Sequence, residues 1–582
     1  MRKILIVDDE LSKPGNAAAF AAEYPVEGVE FRFAGNGQEM FRLLEENADI
    51  CVIFLDIRFE GEEHDHGLML LKKLNDAGVS APIVMISSLS DAPTIIRAWD
   101  LGAQGYVVKW STNPSFYEEF RQKVAMYTRL GPPRSEEQVK RRRQRILIRA
   151  QEVLKEHADL TEEDIIKQAL ELKNDINGTW RYTPPFPQSF QNYVRGWNET
   201  DEVLSRAVQE RRLLYLNMDF GDGCTLRCPH CFTQEGAIDA RGRKPLPYAR
   251  LREAILEAKE LGLKCVRILG RGEPTQWIAG AKARSGNQPA AGEDLIDFIQ
   301  FLYKNDIIPL IFTRGQILGD DERIAWAYGG AHGVNSAADL AKLLYENGVS
   351  LFVGVSSVFP EINNEMVGRP ASDRYNYDRT CRLTLKHAIA AGFNTGNPTR
   401  LAVEMPITNL NIREMAARYV LFQCLGISPC TNVYMVAGRA MTYGLGDITG
   451  PSQEEFLEHY ARVTYCARAM GIDTRIGSYA GTKECHDVSC GMYLTLNGDI
   501  YPCPGYEGMH NFVGSLRTHS IKEIWANNPY GGHPQSVCPP KIATHFPPDF
   551  EKIVEKRIVQ NQTKYQDDCQ RVVNALGVKN ND

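Results

Sequence analysis

The sequence of 582 residues lacks several features that would assign it to a class at once. It contains no apolar run of about 18 residues, the minimum for a transmembrane helix. Its first residues, MRKILIVDDE, form an acid-bearing strand pattern and not a signal peptide. The net charge of −7 gives no bulk attraction to nucleic acid, although local basic patches remain compatible with it. We therefore expect a cytoplasmic protein that contacts no membrane.

Internal repeats and long low-complexity tracts are also missing from the sequence. The hydrophobic fraction of 43% and the charged fraction of 24% are ordinary for a globular protein. At roughly 150 residues per domain, the length allows three or four domains. Seven of the 14 cysteines fall in two clustered patterns. In a chain without an export signal, such clusters indicate metal or catalytic sites before disulfides.

The first part of the chain alternates short apolar runs with amphipathic stretches. The runs are KILIVDD (3–9), ICVIFLD (50–56), APIVMISS (81–88) and GYVVKW (105–110). This alternation predicts an α/β domain, with a parallel sheet and helices on both faces. Ligands of such sheets bind at the carboxyl ends of the strands.

Charged and hydroxyl side chains follow these runs at the edge where ligands collect. They are Asp8, Asp9, Asp56, Ser87 and Lys109. Three carboxylates repel each other unless a cation lies among them, and hard oxygen ligands suit magnesium. The lysine supplies positive charge for an added phosphoryl group.

Residues 1–125 resemble a response-regulator receiver domain of the flavodoxin-like fold. The resemblance rests on the motifs IVDDE, FLDI and LGAQGYVVK and on the hydroxyl between them. It implies a phosphodonor as partner, such as a sensor histidine kinase. It also implies these roles: Asp56 is the phosphoacceptor, Asp8 and Asp9 help to hold Mg²⁺, Ser87 and Lys109 contact the phosphoryl group, and Tyr106 is the switch aromatic.

Two features depart from the receiver pattern. Trp110 stands where the family usually has proline, and the loop after Asp56 is long and acidic, RFEGEEHDHG. Both bear on the kinetics of phosphorylation. We interpret the His64–Asp65–His66 run as part of a solvated loop. A flavodoxin-like domain with incidental acids is the alternative reading of this region.

The rest of the chain divides into three predicted parts. A helical linker over 126–205 contains the basic run KRRRQR, which we interpret as a solvated helix face. Over 206–450, six strand–helix units predict a partial (β/α)6 barrel, with an inserted loop at 277–292. A small domain over 451–582 contains a hairpin whose turn is Asn497-Gly498.

Three cysteines in the stretch GDGCTLRCPHCF follow the first barrel strand. Cys224, Cys228 and Cys231 lie at C-x3-C-x2-C spacing, at the end of the barrel where such enzymes keep their chemistry. A closed zinc site and a cubane iron–sulfur cluster each take four protein ligands. Three thiolates on a cubane leave one iron open to an exogenous ligand. A zinc site with His230 as the fourth ligand is the alternative.

The stretch 206–450 resembles the radical S-adenosylmethionine (SAM) enzymes. The cysteine spacing is followed by an aromatic residue, Phe232, and GRGEP at 270–274 resembles the family's Gly-Gly-Glu-Pro. The resemblance implies that SAM binds the open iron of a [4Fe-4S] cluster and yields a 5′-deoxyadenosyl radical. It further implies that Gly272 and Glu273 meet the methionine amino group, that Ser356 contacts the ribose, and that an electron donor such as flavodoxin or ferredoxin serves the enzyme.

A second cysteine set lies near the C-terminus. Cys485, Cys490, Cys503 and Cys538 are enough to saturate one cubane. The arrangement resembles the SPASM or twitch auxiliary-cluster modules, and the missing C-x2-C run predicts one auxiliary [4Fe-4S] cluster. A zinc site formed by the same four cysteines is the alternative. Cys569 remains as a spare or substitute ligand. In sulfatase-maturing relatives, an Asp at the position of Pro504 acts as the catalytic base. Proline cannot do so, which argues against sulfatase maturation as the reaction.

From these features we expect a radical SAM oxidoreductase governed by its receiver domain. The predicted reaction is oxidation or cross-linking at an unactivated C–H of a peptide or small metabolite. An RNA-modifying enzyme is an alternative that rests only on KRRRQR and is weakened by the net charge. A non-catalytic iron–sulfur redox sensor in a two-component pathway is a second alternative, which does not require SAM cleavage.

Overall fold

The structure is a computed structural model in which 30 stretches of the chain are described. These are residues 2–26, 28–47, 49–62, 65–77, 79, 81–88, 94, 97–98, 101, 103, 105–109, 116, 120, 124, 136–187, 193–220, 224, 226, 228–232, 245–269, 272–277, 292–368, 376–433, 435, 439–440, 450–472, 485–508, 511–534, 538 and 549–577. Two compact units are present. One comprises Met1–Arg142 and Gly505–Phe512, and the other comprises Arg143–Pro504 and Val513–Asp582. In the described residues, no helix is long and apolar enough to cross a membrane.

The first unit contains a five-stranded parallel sheet in the order β2-β1-β3-β4-β5. The strands are β1 (Arg2–Val7), β2 (Val29–Ala34), β3 (Ile50–Leu55), β4 (Ile83–Ser87) and β5 (Gly105–Val108). The described helices are α1 (Pro14–Glu23), α2 (Gly37–Glu46) and α3 (His66–Asp76). This strand order is the flavodoxin-like one, so the predicted fold is confirmed.

Strands β1, β3 and β4 of this sheet are buried on both faces, which explains why they are continuous apolar runs, whereas β2 is mostly half-buried. Ile4, Ile6 and Phe54 pack in a core on one face together with Phe20 and Phe120. The side chains that alternate with them are also buried: Leu5, Val7, Ile53 and Leu55.

The second unit contains a nine-stranded sheet in the order β11-β10-β9-β8-β7-β6-β12-β13-β14. Six parallel strands form the predicted barrel part: β6 (Tyr215–Met218), β7 (Cys265–Ile268), β8 (Ile308–Thr313), β9 (Ser350–Gly354), β10 (Leu401–Glu404) and β11 (Ser428–Cys430). The other three are β12 (Gly491–Leu494), β13 (Asp499–Tyr501) and β14 (Gly514–Ser515). Five barrel strands lie in predicted runs. The sixth begins at Ser428 and not in the run TNVYMVAG, of which Val433 makes only an isolated bridge to Ile407.

The predicted hairpin is present and extends the barrel sheet. β12 and β13 pair antiparallel, and Gly498 in their turn has a φ of +94°, a conformation that favours glycine. On its other side β12 pairs in parallel with β6, in the register Gly491 to Tyr215. Strand β12, which follows Cys485 and Cys490, therefore adjoins β6, which precedes Cys224.

Further helices follow the receiver sheet in the chain, and most of them share one large core with the strands of the second sheet. In chain order they are α4 (Glu136–Glu156), α5 (Glu162–Asp175), α6 (Asp201–Gln209), α7 (Tyr248–Glu260), α8 (Leu295–Lys304), α9 (Asp321–Ile324), α10 (Gly330–His332), α11 (Ala337–Glu346), α12 (Pro360–Met366), α13 (Tyr377–Ala390), α14 (Met415–Cys424), α15 (Gln453–Ala469), α16 (His486–Ser489), α17 (Pro504–Gly508), α18 (Ile521–Asn527), α19 (Phe550–Gln560) and α20 (Gln562–Leu576). Pro274–Gln276 and Ile412–Glu414 are 3₁₀ turns, and Ala325–Gly329 is a π turn.

Candidate functional sites

Three carboxylates gather at the carboxyl edge of the receiver sheet, as predicted. Asp8, Asp9 and Asp56 each offer an oxygen, and these oxygens lie within 4.8 Å of one another. Backbone amides orient them: Asp8 Oδ1 accepts from Glu10 N at 3.0 Å and from Leu11 N at 2.9 Å, and Asp56 Oδ1 accepts from Ile57 N at 2.7 Å. This donor set has the hard oxygens that a magnesium ion takes.

Lys109 neutralises part of this negative charge. Its Nζ lies 2.8 Å from Asp8 Oδ2 and 2.5 Å from Asp56 Oδ2. Burial raises the pKa of Asp56 and the ammonium of Lys109 opposes that shift without cancelling it. Burial also acts to lower the pKa of Lys109, but the charges of Asp56 and Asp8 outweigh it, so this pKa lies above its ordinary value.

Other receiver predictions have mixed outcomes. Ser87 is fully buried at the end of β4, and its carbonyl accepts from Lys109 N at 2.8 Å. The backbone of Tyr106 lies in β5 opposite Met85, but its side chain, His64 and Trp110 lie outside the described residues. His66 lies 3.4 Å from Glu62 and begins α3, so the predicted loop ends before this residue.

The first cysteine set lies beyond β6, on the carboxyl side of the barrel sheet. Cys228 is buried, and Cys224 and Cys231 are half-buried against the main core. Burial raises the pKa of Cys224 and takes that of Cys228 to about 12, and the charge of Cys231 adds to both shifts. The three thiols therefore lie within electrostatic reach of one another. Thiols with raised pKa values need a bound metal to become thiolates.

Glu273 lies at the end of the segment after β7 and is only 2% exposed. Its Oε1 accepts from the hydroxyls of Thr275 at 2.7 Å and Thr313 at 2.6 Å, and from Thr275 N at 3.3 Å. Its Oε2 accepts from Arg314 N at 2.8 Å. Burial raises the pKa of Glu273 despite these four donors. Each carboxylate oxygen has about two acceptor positions, so Oε1 is fully used by three donors, whereas Oε2 has one donor and keeps an acceptor position for a neighbouring ligand.

The remaining predicted contacts of the cofactor lie at the same edge of the sheet. Gly272 precedes Glu273, and Phe232, directly after Cys231, is half-buried. Ser356 follows β9 and is fully buried. Its backbone N donates to Asn363 Oδ1 at 2.9 Å, whereas its Oγ has no hydrogen-bond partner among the described residues. A buried hydroxyl of this kind has the free capacity that a ligand hydroxyl would use.

Residues that follow β8 complete this edge, and the sequence reasoning missed them. Gln316 Nε2 lies 3.8 Å from Cys224 Sγ, and Gln276 in turn donates to Gln316 Oε1 at 3.0 Å. Arg314 lies 3.8 Å from Glu404 and acts to lower the pKa of Cys228. The polar run TRGQ directly after an apolar strand is the signal that could have identified them.

Arg439 reaches the same cysteine loop from a distant part of the chain. Its backbone N donates to the carbonyl of Cys231 at 3.0 Å, and its Nη1 donates to the carbonyl of Cys228 at 3.5 Å. Arg439 is only 7% exposed. No local pattern in the sequence marks it, because its partners lie about two hundred residues away.

The second cysteine set is buried or half-buried around α16 and the hairpin. Cys485 precedes α16, Cys490 ends it, and Cys503 follows β13. Burial raises the pKa of Cys485 and the charge of Cys538 adds to this shift, so these two thiols are neighbours. Pro504 follows Cys503 at the start of α17, as the sequence states. All four predicted ligands therefore lie in the described structure.

Cys569 has another environment. It lies on α20, is 3% exposed and is the hydrogen-bond partner of Cys466 on α15. That hydrogen bond, followed by burial, raises the pKa of Cys466. We therefore interpret Cys569 as part of the packing between α15 and α20 rather than as a spare cluster ligand.

In the described residues, three or more metal-ligating atoms lie within 4.8 Å of one another in the receiver carboxylates and in Asp294, Asp297 and His332. The latter group is a helix cap, because Asp294 Oδ1 accepts from Ile296 N and Asp297 N at the start of α8.

Comparison with known protein families supports two of the predicted domains. Residues 4–121 match the response regulator receiver domain. Residues 485–533 match SPASM, an iron-sulfur cluster-binding domain, and this range includes Cys485, Cys490 and Cys503. The chain thus carries a receiver domain and a SPASM domain, and both predictions are confirmed. Cys538 lies five residues beyond the second match. No curated protein matches this sequence.

Several solved structures are similar to parts of the chain. SuiB of Streptococcus suis, solved with its precursor peptide SuiA, has 16% identity and a TM-score of 0.40, over 58% of this chain and 72% of SuiB. TrrA, a response regulator of Thermotoga maritima solved with Mg²⁺ and beryllofluoride, has 27% identity and a TM-score of 0.18, over 21% of this chain and 96% of its own. The Francisella 1452 receiver domain has 22% identity and a TM-score of 0.19, over 22% of this chain and 96% of its own.

Proposed function

We propose that the protein is a radical SAM oxidoreductase with one auxiliary cluster, and that its receiver domain regulates it. The observation that carries the proposal lies at a single edge of the nine-stranded sheet, where the six parallel barrel strands end. Three mutually close cysteines follow β6, a buried carboxylate follows β7, and β9 is followed by a buried hydroxyl that has no hydrogen-bond partner in the described part of the chain. Cys224, Cys228 and Cys231 would hold a [4Fe-4S] cluster with one open iron.

The residues at this edge fit SAM as a ligand of that cluster. The carboxylate of Glu273 would attract the methionine ammonium by its charge, and the unpartnered Ser356 Oγ would bond a ribose hydroxyl. Phe232 and Gly272 flank these positions. SAM bound to a reduced cluster supplies a 5′-deoxyadenosyl radical, which abstracts a hydrogen atom from the substrate.

The protein's own contribution is to bury and fix the reacting groups. Thr275, Thr313 and the backbone of Arg314 hold Glu273 in one orientation. Gln316 donates toward Cys224, and Arg439 holds the carbonyls of the cysteine loop. Such pre-organisation places charge where it is needed without rearrangement during the reaction.

The SPASM domain is proposed to hold the auxiliary [4Fe-4S] cluster through Cys485, Cys490, Cys503 and Cys538. In a two-electron oxidation, the substrate loses a hydrogen atom, then an electron and a proton. The auxiliary cluster would accept that electron. The substrate class we propose is a peptide or small metabolite with an unactivated C–H, and the external reductant is a flavodoxin- or ferredoxin-type donor.

The receiver domain is proposed to act as the regulatory input. Asp56 would accept a phosphoryl group from a histidine kinase or another phosphodonor, with Mg²⁺ on Asp8, Asp9 and Asp56. The ammonium of Lys109 already contacts Asp56, so it is in place to pair with the added charge. Ser87 and Tyr106 would transmit the change.

Iron analysis and SAM cleavage test the proposal together. Anaerobic reconstitution should give about eight irons per chain, because each cubane holds four. The triple change of Cys224, Cys228 and Cys231 to Ala should leave about four and abolish 5′-deoxyadenosine formation. Stoichiometric zinc at the second set would reject the auxiliary cluster, and full iron loading without SAM cleavage would favour the redox-sensor reading.

A further inference from the structure

One arginine connects the interior of the barrel with the turn that carries two auxiliary ligands. Arg267 lies on β7 and is only 1% exposed. Its Nη1 donates to Asp487 Oδ1 at 2.7 Å. Asp487 lies on α16, between Cys485 and Cys490. A buried arginine requires partners for its charge and its N–H groups, and this one finds its only charged partner in the described residues beside the second cysteine set.

The other contacts of Arg267 fix it rigidly. Its Nη2 donates to the carbonyl of Trp197 at 2.8 Å, and its Nε donates to the carbonyl of Gly196 at 3.3 Å. The guanidinium lies 3.7 Å from the ring of Tyr215 and 4.3 Å from that of Trp197. Because planar stacking and a fixed fork hold the side chain, the position of Asp487 is defined by the barrel and not by its own short helix.

Asp487 acts directly on the ligand thiols. Its backbone N–H, together with that of Val488, donates to the thiol of Cys485. Its carboxylate projects from the same short helix, two residues after Cys485 and three before Cys490. Hydrogen bonds to ligand sulfur and nearby charge are two of the factors that set the potential of an iron–sulfur cluster.

We propose that Arg267 is a positioning residue for the auxiliary cluster. Through Asp487 it holds the Cys485–Cys490 turn in place, and its positive charge compensates the negative charge of the Asp487 carboxylate beside the cluster. This inference rests on the auxiliary cluster of the proposed function, but not on SAM chemistry. In the described residues Arg267 makes no hydrogen bond to Cys485 or Cys490, so it acts on them through Asp487. Without Arg267 the uncompensated carboxylate opposes the added electron, and without the carboxylate the electron is accepted more readily.

The test is a redox titration of the full-length chain in which Cys224, Cys228 and Cys231 are Ala, so that only the auxiliary cluster remains. The potential is followed by electron paramagnetic resonance. Arg267→Met should lower the equilibrium constant for one-electron reduction on the order of tenfold, which is 59 mV. Asp487→Asn should raise it, and the double variant should return it close to the parent value. Arg267→Lys keeps the charge and should restore most of the potential.

Arg250 offers a matched control. It also ties the barrel to the C-terminal region, since it donates to the carbonyls of Leu516 at 3.2 Å and His519 at 3.1 Å, but that segment carries no cysteine. Arg250→Met should leave the potential unchanged. If Arg267→Met does not fold, Asp487→Asn decides alone, because the Asp487 side chain is 39% exposed.

Three results would overturn the inference. The first is a reduction potential that stays constant in both single variants. The second is a shift of the potential in the same direction in both single variants, which would indicate simple loosening of the turn. Loss of all iron from the cysteine-to-alanine parent would remove the auxiliary cluster from the proposed function and the inference with it. Unchanged potentials with full iron loading would reject the inference alone and leave the proposed function intact.

Discussion

The substitution Glu273→Gln distinguishes two effects of this carboxylate, the attraction of its charge for SAM and the contribution of its hydrogen bonds to stability. The change keeps the shape of the side chain and the acceptor that faces Thr275 and Thr313. It places an amide N–H₂ opposite Arg314 N, which now donates to Glu273 Oε2 at 2.8 Å. The backbone N–H of Arg314 loses its acceptor, at a cost of about 1–3 kcal/mol. Because burial raises the pKa of Glu273, the neutral side chain also avoids the penalty of burying a charge, and the two effects oppose each other.

The expected result is therefore a protein of nearly unchanged stability that binds SAM poorly. We expect the free energy of unfolding of the cofactor-free chain to change by no more than about 1 kcal/mol. Loss of a charge-assisted interaction with the methionine ammonium costs about 1.5–3 kcal/mol, which weakens SAM binding roughly 10- to 150-fold. Thermal unfolding of the cofactor-free protein and equilibrium binding of SAM to the reconstituted protein measure the two quantities.

Thr313→Val is the matched control, since it should show the opposite pattern. The hydroxyl of Thr313 donates to Glu273 Oε1 at 2.6 Å and accepts from Gly315 N at 2.9 Å. Its loss leaves a buried N–H unsatisfied, which costs about 1–3 kcal/mol of stability, but the charge of Glu273 remains. SAM affinity in Glu273→Gln equal to that of the parent would refute the assignment of Glu273. A parallel fall of stability and affinity in both variants would indicate a structural role only.

Three further predictions concern other parts of the chain. Cys538→Ser should disturb the auxiliary cluster spectrum, whereas Cys569→Ser should leave about eight irons per chain; equal losses in both would return Cys569 to the ligand set. Beryllofluoride with Mg²⁺ should change the rate of 5′-deoxyadenosine formation by roughly 5- to 150-fold in the parent but not in Asp56→Ala. Equal rates with proven occupancy of Asp56 would reject direct control. Burial, with help from Arg462, lowers the pKa of His459 to about 4. The unfolded chain therefore binds this proton more readily, and stability should fall as the pH drops from about 6.5 to about 4. His459→Leu should weaken that pH dependence of the melting temperature, and the same change at the exposed His519 should not.

Local patterns in the sequence predicted the sheet elements well. Buried parallel strands produce continuous apolar runs, so four of the five receiver strands and five of the six barrel strands lie where such runs occur. The receiver strand β2 was not predicted, because VEFRFA is interrupted by charged residues and is mostly half-buried. The sixth differs because Ser428–Cys430 includes Pro429, which resembles a break. β11 lies at the edge of the sheet, where proline is tolerated.

Contacts between distant residues were not predictable in the same way. Arg267 and Asp487 are 220 positions apart and form an ion pair because β7 and α16 meet beside β6. No local pattern in VRIL, which contains Arg267, or in HDVS, which contains Asp487, predicts that ion pair. Cys569 was similarly ambiguous, because a cysteine pattern shows spacing but not which helix face the thiol occupies.

The most direct test of the account is whether the protein cleaves SAM. Full-length protein with reconstituted clusters is incubated with SAM and a low-potential reductant, and 5′-deoxyadenosine is quantified by mass spectrometry. The account predicts its formation by the parent, its loss when Cys224, Cys228 and Cys231 are Ala, and its retention when Cys569 is Ser. An iron-loaded parent that forms no 5′-deoxyadenosine above the level of the triple variant would contradict the account.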